Sequence, residues 1–331
     1  MHRRTVGDAL NLPVIGMGCL GLAGGYGPID PALAVRTVQC ALDGGVTHFD
    51  IADYHAAGAG ERLLGRALAG RRDEAVVATK TGIVHRDNGP PGLDGSPEHI
   101  DRACRASLHR LGLDHLDLYY LARLDPRVPV AESVGALADL VRAGLVRHIG
   151  LCEVSAATLR TAVAVAPVAA VQVEYSLLAR DPELGLLGAA AELGVGVVAY
   201  RPLVCGLLAG SPSVHVHFSE AAGSDWRRRD PRFAPGNRPA NVARFRELAR
   251  FAARYGTTPA RAALAWVLSA GDDVVAIPGL RSPDQVRDVA GAADLDLTAD
   301  AWDELGEAFP PGCAAGDRYP PPMLQLIEES R

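Results

Sequence analysis

The chain has 331 residues, of which 48% are hydrophobic, and its formal net charge is −6. This length suits one large α/β barrel or two ordinary domains, and the hydrophobic fraction is enough for a large core. The negative charge excludes a general electrostatic attraction to nucleic acid or to anionic membranes.

Apolar strand patterns alternate with amphipathic helix patterns along the chain. After a strand-like segment over 5–20, strands are predicted at 46–50, 75–80, 116–121, 146–151, 170–174, 195–200 and 274–277. Helices are predicted at 31–43, 61–69, 96–111, 131–143, 155–165, 182–193, 241–255, 259–269, 283–290 and 299–308. Eight strand–helix units predict a closed (β/α)8 TIM barrel, one domain over residues 1–331. An open doubly wound sheet is the weaker alternative, because no G-x-G-x-x-G turn is present.

Cysteine usage and the first residues indicate the compartment. The six cysteines are scattered without CxxC pairs, which is typical of reduced cytoplasmic thiols rather than of a disulfide frame or a zinc site. The N-terminus has no signal-peptide pattern, and no apolar run reaches the roughly 18 residues of a membrane span. We therefore expect a cytoplasmic protein with a small-molecule substrate and no nucleic-acid or membrane partner. The sequence does not indicate an oligomeric state.

Titratable side chains follow the predicted strand 46–50 directly: Asp50, Asp53, Tyr54 and His55. The active sites of parallel α/β barrels lie at the carboxyl ends of the strands, so these residues are the first catalytic candidates. Lys80 ends the next apolar strand, a poor place for a purely structural cation. We expect Asp50 and Lys80 to form a charged pair across neighbouring strands. The alternatives are a helix-capping Asp50 and a solvated Lys80.

Six segments resemble the successive motifs of the aldo-keto reductase superfamily. They are F-D-I-A-D-Y-H-A-A-G-A-G-E-R-L-L-G, V-V-A-T-K, D-L-Y-Y-L-A-R-L-D-P, V-R-H-I-G-L-C-E-V-S, V-Q-V-E-Y-S-L-L-A-R-D-P and V-V-A-I-P-G-L-R. They occur in the family's order and spacing, from Val14 to the G-D-R-Y-P tail at Gly316. The resemblance implies a (β/α)8 barrel with an extra helix between strands seven and eight and a C-terminal tail helix or loop. It also implies NADPH lying across the barrel mouth without a Rossmann domain.

The resemblance also implies catalytic roles. In that family a tyrosine protonates the alkoxide formed by hydride transfer, a lysine supported by an aspartate lowers the tyrosine pKa, and a histidine orients the carbonyl oxygen. Asp50 and Lys80 match the aspartate and the lysine. The tyrosine position is His55, and the histidine position is Ala122, which can neither donate nor accept a hydrogen bond.

Two residues compete for the role of proton donor. His55 is preferred, because the ordinary histidine pKa of about 6.5 lies nearer neutrality than the ~10 of tyrosine. We expect Lys80 to lower the pKa of His55 and Asp50 to raise it. Tyr54 is the second candidate, but adjacent residues of an extended chain point to opposite faces.

The cofactor contacts that the resemblance implies come from several strand ends. Tyr200 matches the aromatic residue that stacks on the nicotinamide, Gln172 matches a carboxamide ligand, and Arg281 matches the cation that reads the 2′-phosphate and favours NADPH over NADH. The predicted cofactor-binding set is Cys152, Glu153, Gln172, Tyr200, Arg201, Leu203, Gly279, Arg281, Gln285 and Asp288. Cys152 stands where the family has serine, and a small buried hydrophobe is an equal interpretation.

The long loop 201–239 and the tail 312–331 are expected to frame the substrate pocket. Their apolar side chains are either pocket walls or ordinary loop packing: Trp226, Phe233, Tyr319, Pro320 and Met323. The basic run Arg227-Arg228-Arg229 is interpreted as a solvated loop. No metal site is predicted, because His215 and His217 lack a third ligand.

The leading hypothesis is an NADPH-dependent oxidoreductase with an atypical proton donor. Its substrate is expected to be a carbonyl or enone of an apolar small molecule, such as a secondary metabolite. One alternative is a non-redox acid–base enzyme, a cyclase, dehydratase or isomerase, on the same barrel. Another is an inactive cofactor-binding homologue. The missing histidine at Ala122, together with the departures from the family pattern at the adenine site, motivates the non-redox alternative.

Overall fold

The computed structural model describes residues 1–7, 9–85, 91–210 and 225–328. Its strands are β1 Arg3–Val6, β2 Leu10–Pro13, β3 Met17–Gly18, β4 His48–Asp50, β5 Val76–Thr81, β6 Ile83–Val84, β7 Gly92–Leu93, β8 Leu116–Leu121, β9 Val146–Cys152, β10 Ala170–Glu174, β11 Gly196–Tyr200 and β12 Val274–Ile277. Eight of them pair in parallel in the order β3-β4-β5-β8-β9-β10-β11-β12. Parallel bridges from Ile15 to Ala276 and from Gly18 to Gly279 bring the first of these strands beside the last. The predicted (β/α)8 barrel is confirmed.

Helices connect the barrel strands and cover them. They are α1 Pro31–Asp43, α2 Ala59–Leu68, α3 Pro97–Leu111, α4 Val130–Arg142, α5 Ala156–Val163, α6 Leu186–Glu192, α7 Arg238–Arg254, α8 Pro259–Leu268, α9 Pro283–Ala290, α10 Ala299–Ala308 and α11 Pro321–Leu324. The pair α7 and α8 lies between β11 and β12, so the predicted extra helix is present, and α11 lies in the tail. None of the helices in these described ranges combines the length and the apolar character needed to cross a membrane.

Local sequence signals fix where several helices begin and end. The Ser96 hydroxyl accepts a hydrogen bond from the His99 amide, Pro97 occupies the first turn of α3, and Gly112 ends the helix at φ 70°. The predicted helix 182–193 is interrupted instead. Gly185 has φ 149° and separates a short 3₁₀ turn, Asp181–Leu184, from α6.

The opening segment differs most from its prediction as one strand. It forms the antiparallel hairpin β1–β2, followed by the two-residue strand β3. Val6 of this hairpin packs against Gly196, the first residue of β11, and Gly7 packs against Ala169, just before β10. The hairpin therefore closes the amino-terminal end of the barrel. The carboxyl ends of the strands remain available for a site.

Candidate active site

A cavity of about 1430 Å³ lies at the carboxyl ends of the barrel strands. It exceeds the roughly 300–1,000 Å³ of a usual small-molecule pocket, so it has room for a large cofactor together with a substrate. The predicted site residues in its wall are Asp50, Tyr54, His55, Lys80, Cys152, Gln172, Tyr200, Arg201, Leu203, Gly279, Arg281, Gln285 and Asp288. Of the predicted apolar walls, Trp226, Tyr319, Pro320 and Met323 line the cavity, whereas Phe233 packs in the core.

A buried ion pair lies at the floor of this cavity. The Lys80 Nζ donates to Asp50 Oδ1 at 2.5 Å and to the carbonyl oxygen of Ile51 at 2.8 Å. The Gln172 Nε2 donates to the second carboxylate oxygen of Asp50 at 2.7 Å. The predicted pairing of Asp50 with Lys80 is confirmed. Both carboxylate oxygens have partners, as a buried charge requires.

Tyr54 and His55 both reach the cavity, contrary to the alternation expected of an extended chain. Tyr54 has helical backbone angles, and a 3₁₀ turn begins at His55. The next two residues, Ala56 and Ala57, adopt left-handed conformations with φ of 49° and 50°, which is strained for residues with a Cβ. The two rings pack edge-to-face with centroids 5.0 Å apart. The His85 Nε2 donates to the Tyr54 carbonyl oxygen at 2.9 Å. The helical backbone angles at Tyr54 thus let the two adjacent rings face the same cavity.

The two rings differ in protonation. Burial, reinforced by Lys80 and His85, lowers the pKa of His55 to about 3. The expected effect of Lys80 has the predicted direction, and the imidazole is neutral at pH 7. Burial raises the pKa of Tyr54 well above its ordinary value of 10. At neutral pH the Tyr54 phenol therefore retains its proton, and the imidazolium form of His55 is not populated.

The predicted nicotinamide contacts have definite hydrogen bonds of their own. The Tyr200 hydroxyl shares a 2.8 Å hydrogen bond with the Tyr319 hydroxyl. Burial raises the pKa of the Cys152 thiol to about 12, so it stays protonated. Glu153, unlike the other members of the set, does not line the cavity. Its carboxylate accepts from the Glu174 amide at 2.9 Å and pairs with Arg318 at 2.7 Å.

Arg201 ties the tail to the barrel mouth. Its guanidinium forms an ion pair with Asp230, lies 3.4 Å from a Glu174 carboxylate oxygen and donates to the Arg318 carbonyl oxygen at 2.8 Å. Arg201 follows β11 with φ 53°, another left-handed residue at a strand end. The strained backbone of the mouth is therefore held by buried charge pairs.

The other end of the cavity contains Arg281. Its two terminal nitrogens donate to the carbonyl oxygens of Tyr26, Gly27 and Pro28 at 2.6–3.1 Å, and its buried Nε has no hydrogen-bond partner in the described chain. Gln285 accepts from the Arg281 amide at 2.7 Å. Arg281 thus fixes the loop between β3 and α1 while keeping one donor unused.

Near Arg281, Asp288 accepts from Thr258 at 3.0 Å. Arg227 also lines this cavity. It is 6% exposed, pairs with Asp225 at 2.6 Å and lies over the Tyr26 ring. The interpretation of Arg227 as solvated was wrong, because the loop folds it back onto an aromatic ring and a buried carboxylate.

Several charged residues of the cavity wall were not predicted as site residues, among them Asp30, Asp225 and Arg123. Arg123 directly follows Ala122 at the end of β8, is 6% exposed and lines the cavity. The signal that singled out Lys80, a cation closing an apolar strand, applies equally to Arg123. Nothing in the sequence indicates which way its side chain turns.

No group of three metal-ligating side chains occurs within the ranges that the structure describes. His215 and His217 lie outside those ranges.

Residues 14–309 match the family model described as Aldo/keto reductase family. The chain belongs to the aldo/keto reductase family. A Glycine max protein named "Probable aldo-keto reductase 1" is 38% identical to it over 92% of this chain and 88% of its own. The NADP(+) aldo-keto reductase yakc of Schizosaccharomyces pombe is 37% identical over 96% of this chain and 94% of its own.

Solved structures of other aldo-keto reductases are also similar. A glycerol dehydrogenase from Gluconobacter oxydans has a TM-score of 0.82 at 30% identity, over 92% of this chain and 94% of its own. An aldo/keto reductase from Klebsiella pneumoniae in complex with NADP and acetate has a TM-score of 0.73 at 25% identity, over 96% and 98% of the two chains. Family membership supports an oxidoreductase.

Asp53 provides a test of the electrostatics of this aldo-keto reductase site. Burial raises the pKa of Asp53 from 3.8 to about 6, and one carboxylate oxygen has no partner in the described residues. Ionised Asp53 therefore destabilises the fold: the stability that its protonated form contributes is full below pH 4 and lost as the pH rises through 6. We expect the Asp53→Asn variant to be more stable than the wild type at pH 7.5. Its free energy of unfolding should be higher by at most about 3 kcal/mol.

At pH 4 the two proteins should be nearly equal in stability. Urea unfolding at a series of pH values from 4 to 8 measures the difference. A difference that stays constant over this range would contradict the raised pKa.

Proposed function

We propose that the protein is an NADPH-dependent reductase of a carbonyl group on a largely apolar small molecule, with Tyr54 as the proton donor. The observation that carries the proposal is the buried Asp50–Lys80 pair at the floor of a large cavity. The wall of the same cavity contains the Tyr54 phenol, which keeps its proton, and the His55 imidazole, which is uncharged. This arrangement places a fixed cation near His55, whose pKa it lowers, and in the same cavity wall as Tyr54. Such an arrangement suits the stabilisation of a developing alkoxide.

The residues present fit NADPH. Gln172 donates its amide nitrogen to Asp50, which leaves its carbonyl oxygen free to accept from a carboxamide. Tyr200 offers an aromatic face, and the buried unused Nε of Arg281 offers a charged donor for a phosphate. When bound, NADPH supplies the hydride. The names of the Schizosaccharomyces pombe relative and of the Klebsiella pneumoniae complex support this choice of cofactor.

The proton roles follow from the protonation states. Tyr54 is protonated at neutral pH and can donate its proton to an oxygen that gains negative charge. The neutral imidazole of His55 can hydrogen-bond the carbonyl oxygen without carrying a charge. The Lys80 Nζ is held against Asp50 by the ion pair at the cavity floor. This assignment reverses the preference for His55 that the ordinary histidine pKa suggested.

The proposal of an apolar substrate is supported by the apolar side chains in the cavity wall. The apolar side chains in its wall include Leu20, Ile29, Leu33, Ile83, Trp226 and Met323. They come from several segments of the mouth, including α1 and β6, and from the tail. Such a wall favours binding of a hydrocarbon body over a small hydrophilic aldehyde.

The charged pair can be tested separately from folding. Asp50→Asn and Lys80→Met should each lower kcat by about 10²–10⁴-fold and, because each leaves a buried charge unpaired, lower the free energy of unfolding by about 3–5 kcal/mol. The double variant Asp50→Asn/Lys80→Met removes both charges. It should regain stability without regaining activity. NADPH consumption at 340 nm and urea unfolding measure the two quantities. Turnover that returns with stability would refute a catalytic role for the pair.

The assignment of the proton donor is tested with Tyr54→Phe and His55→Gln. Tyr54→Phe should lower kcat by about 10²–10⁴-fold, because it removes the proton. His55→Gln keeps a hydrogen-bond donor and should lower kcat less than tenfold. The wild-type rate should show no titration near pH 6.5, because the pKa of His55 is about 3.

Tyr255→Phe, at the end of α7, is the matched control for loss of a phenol hydroxyl. If Tyr54→Phe were active and His55→Gln inactive, His55 rather than Tyr54 would be the proton donor. Product formation without NADPH consumption would instead support the non-redox alternative.

A further inference from the structure

Arg123 is a buried cation that the proposed reaction does not use. Its Nη1 donates to the carbonyl oxygen of Ala122 at 2.6 Å, and its buried Nε has no hydrogen-bond partner among the described residues. No carboxylate of those residues lies within 4.0 Å of its guanidinium, whereas the side chain forms part of the cavity wall. A buried charge without a counter-ion costs free energy, so a ligand of opposite charge is favoured here.

The other buried charges around this end of the cavity compensate one another. The pairs are Asp50 with Lys80, Glu153 with Arg318, Asp230 with Arg201, and Glu174 with Arg232. Each pair sums to zero, and Arg123 is left as one uncompensated positive charge among them. This excess charge lies inside the cavity rather than on the protein surface, where water would solvate it.

The surroundings of Arg123 are polar but uncharged, apart from the compensated Glu153. Burial alone would lower the pKa of Arg123, but Tyr200, Tyr319, Glu153 and Tyr54 hold it above its ordinary value. Arg123 therefore shares its surroundings with the proposed proton donor, Tyr54.

We propose that Arg123 binds a carboxylate of the substrate, so that the enzyme reduces the aldehyde or ketone group of an oxo acid with an apolar body. The planar guanidinium matches a carboxylate, and the unused Nε and Nη2 form one edge of that fork. The inference rests on the proposed reductase function and adds the substrate class. The hydride goes to the carbonyl carbon, the proton goes to its oxygen, NADPH becomes NADP⁺, and the carboxylate is unchanged.

Two aldehydes of equal size test the proposal: 4-carboxybenzaldehyde and 4-formylbenzamide. The wild type should prefer the carboxylate in kcat/KM by about 10- to 100-fold, the range expected for a charge-assisted hydrogen-bonded pair. Arg123→Gln should lose that preference through KM while turning over the amide within about threefold of the wild-type rate. Arg123→Lys should keep part of the preference, because it keeps the charge but not the fork.

Arg105→Gln is the matched control, since it removes one arginine charge from an exposed ion pair on α3. Its preference should equal that of the wild type. An equal fall for both aldehydes in Arg123→Gln would mean that Arg123 acts on the reacting carbonyl, and a raised KM for NADPH alone would mean that it binds the cofactor. Either result, or an unchanged preference, overturns the proposal.

Binding measurements distinguish a wrong carboxylate site from a wrong reductase function. If the wild type reduces neither aldehyde, calorimetric titration with benzoate and with benzamide, at saturating NADP⁺, still measures carboxylate binding at Arg123. Benzoate should bind the wild type at least tenfold more tightly than Arg123→Gln, and benzamide should bind both equally. Equal benzoate affinity would refute the carboxylate site whatever the reaction.

Discussion

The buried pair between Asp50 and Lys80 is the interaction on which the mouth of the barrel depends. It joins β4 to β5, and Gln172 extends it to β10 across the barrel. Two buried charges are tolerable only with close partners, so removing either residue leaves an uncompensated charge. The pairing also holds Lys80 near His55, where burial first and the Lys80 charge second lower the pKa of that imidazole. The same ion pair therefore affects both the stability of the barrel mouth and the protonation of a candidate catalytic residue.

The rest of the mouth repeats this principle in its loops. Glu153 and Arg201, which directly follow β9 and β11, have left-handed conformations, and so does Ala56 in the loop between β4 and α2. Strain of this kind persists only where the surroundings determine the conformation. Here the surroundings include the Glu153–Arg318 ion pair, which holds the tail, and the Arg201–Asp230 ion pair, which holds the loop after β11. The strands therefore position the charged side chains at the cavity floor, and the ion pairs of the loops hold the strained backbone around them.

The sequence predicted the barrel because its strands are apolar runs with few alternatives. It predicted Asp50 and Lys80 because ionisable residues at the end of such runs seldom have a purely structural role. It could not predict that Tyr54 and His55 both face the cavity, since that depends on the helical backbone angles at Tyr54 and on the 3₁₀ turn that begins at His55. The alternation rule failed there because the chain is not extended.

Other misses have the same origin. The burial of Arg227 depends on a loop folding back onto Tyr26, and Glu153 turns away from the cavity towards Arg318. The hairpin β1–β2 resembles a continuous strand in sequence because each of its arms is only four residues long. Local propensity fixed the elements, and tertiary contacts fixed the direction of the side chains between them.

Hydride transfer from NADPH to a carbonyl carbon in this cavity is tested most directly by isotope labelling. The protein is given NADPH deuterated at the transferable C4 position of the nicotinamide together with an aromatic aldehyde, and the alcohol product is examined by mass spectrometry and NMR. We expect one deuterium on the carbinol carbon and one equivalent of NADP⁺ for each alcohol. Product without deuterium, formed while the cofactor is unconsumed, would contradict hydride transfer.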